Sequence, residues 1–176
     1  MAAYWPHRMA SAGGFEAPHR KRRAMHRIPV RQIMQTTVVT VHPDALIADA
    51  AQLMEDFNVR RLPVVDDEDH LVGIVTDSDV REAEMAGSVM STYEPGVDVE
   101  WLTVADIMTP EVITIGPDAT VGELAAILAE HKVGGVPVVV PDAAAPRYVH
   151  VVGIVTEVDI FSMIAAAWKA ESQAQV

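Results

Sequence analysis

The segment GIVTDSDV at residues 73–80 returns with few changes as GIVTEVDI at residues 153–160. In each copy a run of β-branched residues leads into a threonine, and an aspartate follows that threonine three positions later. β-Branched residues favour strands, whereas a threonine followed by an acid at this spacing is typical of a helix start. The sequence therefore predicts the same strand-to-helix turn twice.

Other motifs recur in the same order, so the chain is a tandem repeat. The copies are 74 residues apart until the closing turn, where the distance becomes 80. Six extra residues therefore lie within PDAAAPRYVH at residues 141–150, and this Pro- and Ala-rich stretch predicts a lengthened hairpin loop. The recurring pairs are Ile33-Met34 with Ile107-Met108, VVTVHPDA at 38–45 with VITIGPDA at 112–119, and VRRLPVV at 59–65 with VGGVPVV at 133–139.

Each repeat has the pattern of a βαββα unit. In the first, VVTV predicts a strand, ALIADAAQLMEDF has apolar residues at helical spacing, LPVV and LVGIV predict two strands around an acidic turn, and a helix begins at TDSD. One unit of about 50 residues buries a small core, so we expect an α/β fold in which two units pack face to face as a pseudo-two-fold pair. This interpretation makes residues 1–27 a disordered tail, 28–92 and 104–170 the two units, and 93–103 the linker.

Composition excludes several classes of protein. Half of the 176 residues are apolar, but no uninterrupted apolar run approaches the roughly 20 residues that span a bilayer. The chain has no cysteine, which excludes disulfides, thiolate catalysis and cysteine-ligated zinc sites. The first residues lack the basic and apolar regions of a secretory signal, so we expect a soluble, cytoplasmic protein without membrane contacts.

Charge is divided unevenly along the chain. Residues 1–27 carry six basic residues and one acid, a net charge of +5, whereas the rest carries seven basic and 24 acidic residues, a net charge of −17. Such an acidic body repels nucleic acid over most of its surface. Only the basic tail, with its cluster HRKRR, offers contacts to nucleic acid or to an acidic partner, and a solvated leader explains that tail equally simply.

No motif indicates catalysis or a resident metal. The chain contains no phosphate-binding loop of the Walker type and no Gly-x-Ser-x-Gly elbow. None of its seven histidines has His-x-x-x-His spacing, and the one Glu-x-x-His, at Glu16 and His19, stands alone in the predicted tail. His42 and His70 fall in predicted loops, where surface exposure accounts for them. We therefore expect neither a catalytic residue nor a metal site.

Taken together, the recurring IM, PVV and GIVTxxD motifs resemble a pair of cystathionine β-synthase (CBS) domains, the arrangement called a Bateman module, over residues 30 to about 165. The resemblance implies a regulatory role without catalysis or a catalytic cofactor. It also implies an adenosine-containing ligand, such as AMP, ADP, ATP or S-adenosylmethionine, in the clefts between the units.

The resemblance further implies that each cleft combines adenine-facing residues of one unit with the Thr/Asp pair of the other. The first cleft would contain Thr36, Val38, Val59, Arg60, Arg61, Pro63, Thr156 and Asp159. The second would contain Pro110, Val112, Val133, Gly134, Gly135, Pro137, Thr76 and Asp79.

The Thr-x-x-Asp pair has two interpretations. A carboxylate in the first turn of a helix can accept hydrogen bonds from the two ribose hydroxyls of a nucleotide. The same pair is also an ordinary capping box that needs no ligand.

The two predicted clefts differ in charge. Arg61 precedes LPVV, where an arginine suits a phosphate group, and its counterpart Gly135 carries no charge. We expect a phosphorylated nucleotide in the Arg61 cleft and an empty, weaker or uncharged-ligand site in the glycine cleft. Alternatively, Arg60 and Arg61 pair with surface acids. Asp77 and Glu157 disfavour ATP relative to AMP if they face the ligand, and on a helix they can also point outward.

Two functions from different classes remain open. The first is a sensor that binds an adenosyl ligand and acts on a separate protein effector through a change of shape or of dimer contacts. The second is a structural module whose paired repeats dimerise around vestigial clefts. In both cases the apolar helix DIFSMIAAAWKA favours a homodimer.

Overall fold

The computed structural model describes residues 24–93 and 101–174, with the side chains of 87–93 left out of the description. The predicted tail up to residue 23, part of the predicted linker, and residues 175–176 lie outside the described residues. The elements in chain order are α1 (Ile47–Asp56), β1 (Arg61–Val65), β2 (Leu71–Thr76), α2 (Asp77–Tyr93), α3 (Val104–Ile107), α4 (Val121–His131), β3 (Gly135–Pro141), β4 (Val149–Thr156) and α5 (Glu157–Gln173). Short 3-10 turns cover Met25–Arg27 and Val30–Gln32.

Two antiparallel hairpins form the sheets. β1 pairs with β2 so that Arg61 lies opposite Thr76, and β3 pairs with β4 so that Gly135 lies opposite Thr156. The GIVT segment is the second strand of each hairpin, and its threonine leads directly into α2 or α5. The six extra residues lie in the second hairpin, as predicted, but they are not confined to its loop. β3, the loop and β4 are each two residues longer than their counterparts in the first hairpin.

The predicted first strand of each unit is shorter than expected. VVTV contributes only a parallel bridge between Val41 and Val64, and VITI contributes only the equivalent bridge between Ile115 and Val138. In both repeats a proline follows two residues after the bridging residue, and proline has no backbone N–H to extend a ladder. The βαββα order holds with this reduction, and the fold is the predicted α/β pair of repeats.

The two units exchange the segments that precede their first strands. Val30 is fully buried in the second core, and its backbone N–H donates to Ala119 O at 2.8 Å. Val104 is fully buried in the first core, and its backbone N–H donates to Ala45 O at 2.8 Å. Each core therefore includes an apolar side chain from a segment that the repeat pattern assigns to the other unit, which locks the units together.

This exchange explains the glycine of GIVT and the methionine of the IM motif. A Cβ on Gly73 would come within 2.5 Å of Met108 Sδ, and a Cβ on Gly153 would come within 2.7 Å of Met34 Sδ. Each methionine side chain therefore occupies the space that a side chain at the glycine position would need. The two motifs recur together because each fills space left by the other.

The buried core has two parts, one for each repeat. Leu62, Val64 and Val75 are fully buried in the first part, and Val136, Val138 and Val155 are their equivalents in the second. Among the described helices, none combines the length and the apolar character needed to cross a bilayer.

Candidate ligand clefts

Two neighbouring cavities share Arg60, Arg61 and Gly134 in their linings. Cleft A has a volume of about 510 Å³ and cleft B about 440 Å³. Six of the eight residues predicted for the first cleft line cleft A: Val38, Val59, Arg60, Arg61, Thr156 and Asp159. Six of the eight predicted for the second line cleft B: Val112, Val133, Gly134, Gly135, Thr76 and Asp79.

The four remaining predicted residues are not among the described residues that line either cavity. Pro63 and Pro137 are fully buried within their hairpins, opposite Ile74 and Ile154. Thr37, one position after Thr36, lines cleft A, and Thr109 and Glu111, on either side of Pro110, line cleft B. The segments that contain Thr36 and Pro110 thus line the clefts through neighbouring positions.

Both Thr-x-x-Asp pairs form capping boxes, as one of the two interpretations predicted. The backbone N–H and the hydroxyl of Thr76 donate to Asp79 Oδ2 at 2.8 and 2.7 Å. The corresponding groups of Thr156 donate to Asp159 Oδ2, both at 2.8 Å. These bonds use one carboxylate oxygen and leave the other, Oδ1, for a second role.

That second oxygen distinguishes the two clefts. Asp159 Oδ1 accepts a hydrogen bond from Gln35 Nε2 at 3.1 Å. The residue equivalent to Gln35 is Thr109, and Asp79 Oδ1 has no hydrogen-bond donor among the described residues. Asp79 therefore has an unused acceptor beside cleft B, whereas the equivalent acceptor beside cleft A is occupied. Gln35 was not predicted, although its place after the recurring IM motif was a usable signal.

Arg61 crosses from its own unit onto the other. Its guanidinium lies against the backbone of Gly134 and Gly135, in the space where side chains on those glycines would stand. Because of this position Arg61 lines both clefts. Its Nη1 atom is buried and has no hydrogen-bond partner among the described residues. Gly134 and Gly135 hold the positions that Arg60 and Arg61 hold in the first repeat. Because these glycines have no side chains, they leave room for the Arg61 guanidinium.

Burial lowers the pKa of Arg61, and the nearby carboxylates of Glu157 and Asp77 oppose that shift. The guanidinium stays charged in either case, because an arginine deprotonates only far above neutral pH. A charged group with an unpaired buried nitrogen is a strong potential donor to an anionic ligand.

Gly135 itself brings no charge to cleft B, but three basic residues from elsewhere line that cleft. Arg60, Arg61 and Lys132 all line cleft B. Lys132 was not predicted as a site residue, and it ends α4 in the left-handed conformation with φ of 55°. Its role as a helix C-cap gave no sequence signal for the cleft.

Acidic residues also line both cavities. Asp77 and Glu111 line cleft B, and Glu157 lines cleft A. Asp77 forms an ion pair with Arg81 at 2.8 Å, which partly offsets its charge. The charges of Asp77 and Glu157 also act on Arg61, since both oppose the lowering of its pKa by burial.

Comparison with known proteins identifies the repeat. The CBS domain family matches residues 30–86 and 104–166. The L-aspartate semialdehyde sulfurtransferase of Methanocaldococcus jannaschii is 33% identical over 131 residues, which are 74% of this chain and 22% of that protein. The chain spans between 20% and 34% of the length of the curated relatives first matched, so their enzymatic activities belong to much longer proteins.

Two solved structures of similar size contain adenosyl ligands. The CBS domain pair of protein MJ0100, in complex with 5′-methylthioadenosine and S-adenosyl-L-methionine, is 32% identical with a TM-score of 0.64, covering 79% of this chain and 97% of that one. CBSX2 in complex with AMP is 26% identical with a TM-score of 0.60, covering 82% and 98%.

Proposed function

The chain belongs to the CBS domain family, and from that premise we propose that it is a regulatory module that binds an adenosine monophosphate-type ligand in cleft B. The observation that carries the proposal is the unused Oδ1 of Asp79 beside a cavity that Arg61 also lines. The adenosyl ligands in two related structures support the ligand class.

The ribose is the group that Asp79 suits. Its Oδ2 holds the helix start through Thr76, so the carboxylate has a fixed orientation before any ligand arrives. The free Oδ1 can then accept hydrogen bonds from the vicinal ribose hydroxyls, and bonds to a charged acceptor are stronger than those between neutral groups.

The phosphate is the group that the cations suit. Arg60, Arg61 and Lys132 supply positive charge to cleft B, and Arg61 offers a planar fork for bidentate contact. Asp77 and Glu111 line the same cavity and repel further negative charge. This balance favours AMP over ATP, and it favours AMP over the sulfonium of S-adenosylmethionine at the positions next to the guanidinium.

One phosphorylated ligand for each chain follows from the shared arginine. Arg61 lines both clefts, but its guanidinium can make its bidentate contact with only one phosphate at a time. In cleft A, Gln35 already occupies Asp159 Oδ1, and Glu157 adds negative charge. Cleft A is therefore the weaker site or the site of an uncharged adenosyl group. This assignment reverses the expectation drawn from the sequence.

A homodimer is part of the proposal because α5 exposes an apolar stripe. The side chains of Val158, Phe161, Ile164 and Trp168 have exposed fractions of 61%, 62%, 48% and 67%. A second copy of the chain that packs on this stripe would bury it. Ligand binding could then act by changing the contacts between the two copies. The effector protein and the cytoplasmic location stay predictions.

The same stripe favours a second candidate function, a dimerisation module whose clefts bind nothing. Thermal unfolding with AMP, ADP, ATP and S-adenosylmethionine separates the two. A ligand at 100 times its dissociation constant adds about 2.7 kcal/mol of stability. We expect the largest shift with AMP, and no shift with any of the four would favour the dimerisation module.

A further inference from the structure

Two equivalent histidines meet at the tips of the hairpins, away from both clefts. His70 begins HLVGIVT and His150 begins HVVGIVT, so they hold the same position in the two repeats. The pair forms an antiparallel backbone bridge, and the ring centroids are 5.0 Å apart. Asp142, which comes from the lengthened loop, completes the cluster.

The ligand atoms of the three side chains converge. Asp142 Oδ2 lies 2.8 Å from His150 Nε2 and 3.9 Å from His70 Nε2. A tetrahedral zinc ion with bonds of about 2.0–2.1 Å separates its ligand atoms by about 3.3 Å. The observed distances lie on either side of that value, so small side-chain shifts would bring the atoms to ligating positions.

The outer nitrogens of both rings face oxygen acceptors. His150 Nδ1 lies 3.0 Å from the carbonyl oxygen of Asp69, and because a carbonyl only accepts, this nitrogen carries the hydrogen. His70 Nδ1 lies 3.4 Å from Asp66 Oδ2. Each ring can therefore direct the lone pair of its Nε2 into the cluster. Metal-binding histidines almost always have an outer partner of this kind.

Backbone hydrogen bonds fix both carboxylates. Asp142 Oδ1 accepts from the backbone N–H groups of Ala144 and Ala145 at 2.7 and 2.6 Å, which leaves Oδ2 for the histidines. Asp66 Oδ1 accepts from the backbone N–H of His70 at 2.8 Å, which leaves its Oδ2 for the His70 ring.

The ligand atoms of His70, His150 and Asp142 all lie within 4.8 Å of one another, a spread that a single metal ion can span. We propose that His70, His150 and Asp142 bind one divalent transition-metal ion of the zinc class, with the fourth position open to water. Two imidazoles favour zinc over magnesium or calcium, which prefer oxygen ligands.

The setting supports such a site. The side chains of His70, Asp142 and His150 are 13%, 21% and 32% exposed, and Tyr148 stacks on His70 with ring centroids 4.5 Å apart. The ion would join the two hairpin tips across the pseudo-two-fold relation and so stabilise the pairing of the units. Sequence spacing could not reveal the site, because its ligands come from two repeats and from an insertion present in only one. The proposal thus differs from the absence of a metal site expected from the sequence.

Zinc titration of the full chain after removal of metal with a chelator tests the proposal. We expect one zinc ion to bind each chain, Mg²⁺ not to compete, and Co²⁺ in its place to give the visible absorption of a tetrahedral site. Asp66→Asn should weaken zinc binding by about 10–100-fold, because it changes the acceptor that orients the His70 ring. His150→Ala and Asp142→Asn remove a direct ligand and should weaken it further.

His42→Ala is the matched control, because His42 also lies near two carboxylates, at 3.8 Å from Asp44 and 3.2 Å from Asp67, but belongs neither to the proposed ligands nor to their outer partners. It should leave the affinity unchanged. If His150→Ala misfolds, Asp142→Asn decides the matter, since asparagine preserves the size and the backbone contacts of the side chain. Absence of zinc binding, or equal losses in the His42 and Asp142 variants, would overturn the proposal and leave a proton between His150 and Asp142. AMP binding is unaffected in either outcome, which keeps this test separate from that of cleft B.

Discussion

The guanidinium of Arg61 rests against the backbone of Gly135, the residue that occupies the position of Arg61 in the other repeat. Two arginines at these equivalent positions would compete for the same space. The asymmetry between the repeats is therefore a packing requirement, and it places the Arg61 guanidinium where it lines both clefts.

Gly135→Ala should destabilise the protein and displace Arg61. The added Cβ would meet Arg61 Nη1, which can move, but it would also come within 2.8 Å of the backbone oxygen of Val155, which cannot. Overpacking of this kind costs about 1–3 kcal/mol in the free energy of unfolding, as measured by denaturant titration.

Gly116→Ala is the control for that change, since a Cβ at Gly116 meets no atom of the described residues within 4 Å beyond its chain neighbours. It should alter stability by less than about 0.5 kcal/mol. Equal effects of the two substitutions would show that Gly135 is not needed for the close approach of Arg61.

The capping boxes should make stability depend on pH in the acid range. Hydrogen bonds from the backbone N–H and hydroxyl of Thr120 lower the pKa of Glu123, and those from Thr103 lower the pKa of Asp106. A lowered pKa in the folded state means that the unfolded state binds protons first, so this contribution is present above the ordinary pKa and is lost as the pH falls through the folded-state pKa. The pH range in which this stability is lost therefore lies below the ordinary pKa values, 4.5 for Glu123 and 3.8 for Asp106.

Glu123→Gln should therefore be less stable than the wild type at neutral pH, and the difference should shrink in acid. Denaturant titrations at neutral and acid pH measure it. Glu130→Gln, on the exposed side of the same helix, should change stability little at either pH. A difference that persists unchanged in acid would contradict the role of the Glu123 carboxylate.

Phe161→Glu should convert the proposed homodimer into a monomer. Phe161 is 62% exposed in the centre of the α5 stripe, and a buried unpaired charge there would oppose association. Phe57→Glu is the matched control, because Phe57 is 57% exposed at the end of α1, outside that stripe. Sedimentation velocity at micromolar concentration measures the result, and a wild-type monomer would refute the dimer.

The sequence predicted what depends on local pattern. Runs of β-branched and apolar residues located both hairpins, helical spacing located α1, and Thr-x-x-Asp located the helix starts at Asp77 and Glu157. It did not predict features that arise when the units meet. The reach of Arg61 onto Gly135, the occupation of Asp159 by Gln35, and the meeting of the two histidines all depend on the relative placement of the repeats, which no local pattern encodes.

A comparison of AMP with adenosine tests the role of Arg61 in phosphate binding. Arg61→Ala should weaken AMP strongly and adenosine much less, because only the phosphate contact is lost. Calorimetric titration with both ligands measures the two losses. Equal losses for AMP and adenosine would remove the phosphate role and leave Arg61 as a packing residue between the units.

The most direct test of cleft B is calorimetric titration of AMP into Asp79→Asn and Asp159→Asn. Both substitutions preserve a capping side chain, but only the first removes a free carboxylate acceptor. We predict that Asp79→Asn costs about 1.5–3 kcal/mol, or tenfold to a hundredfold in affinity, and that Asp159→Asn changes the affinity for AMP little. Unchanged affinity in Asp79→Asn, or a larger loss in Asp159→Asn, would contradict the account and return the Asp79 pair to helix capping alone.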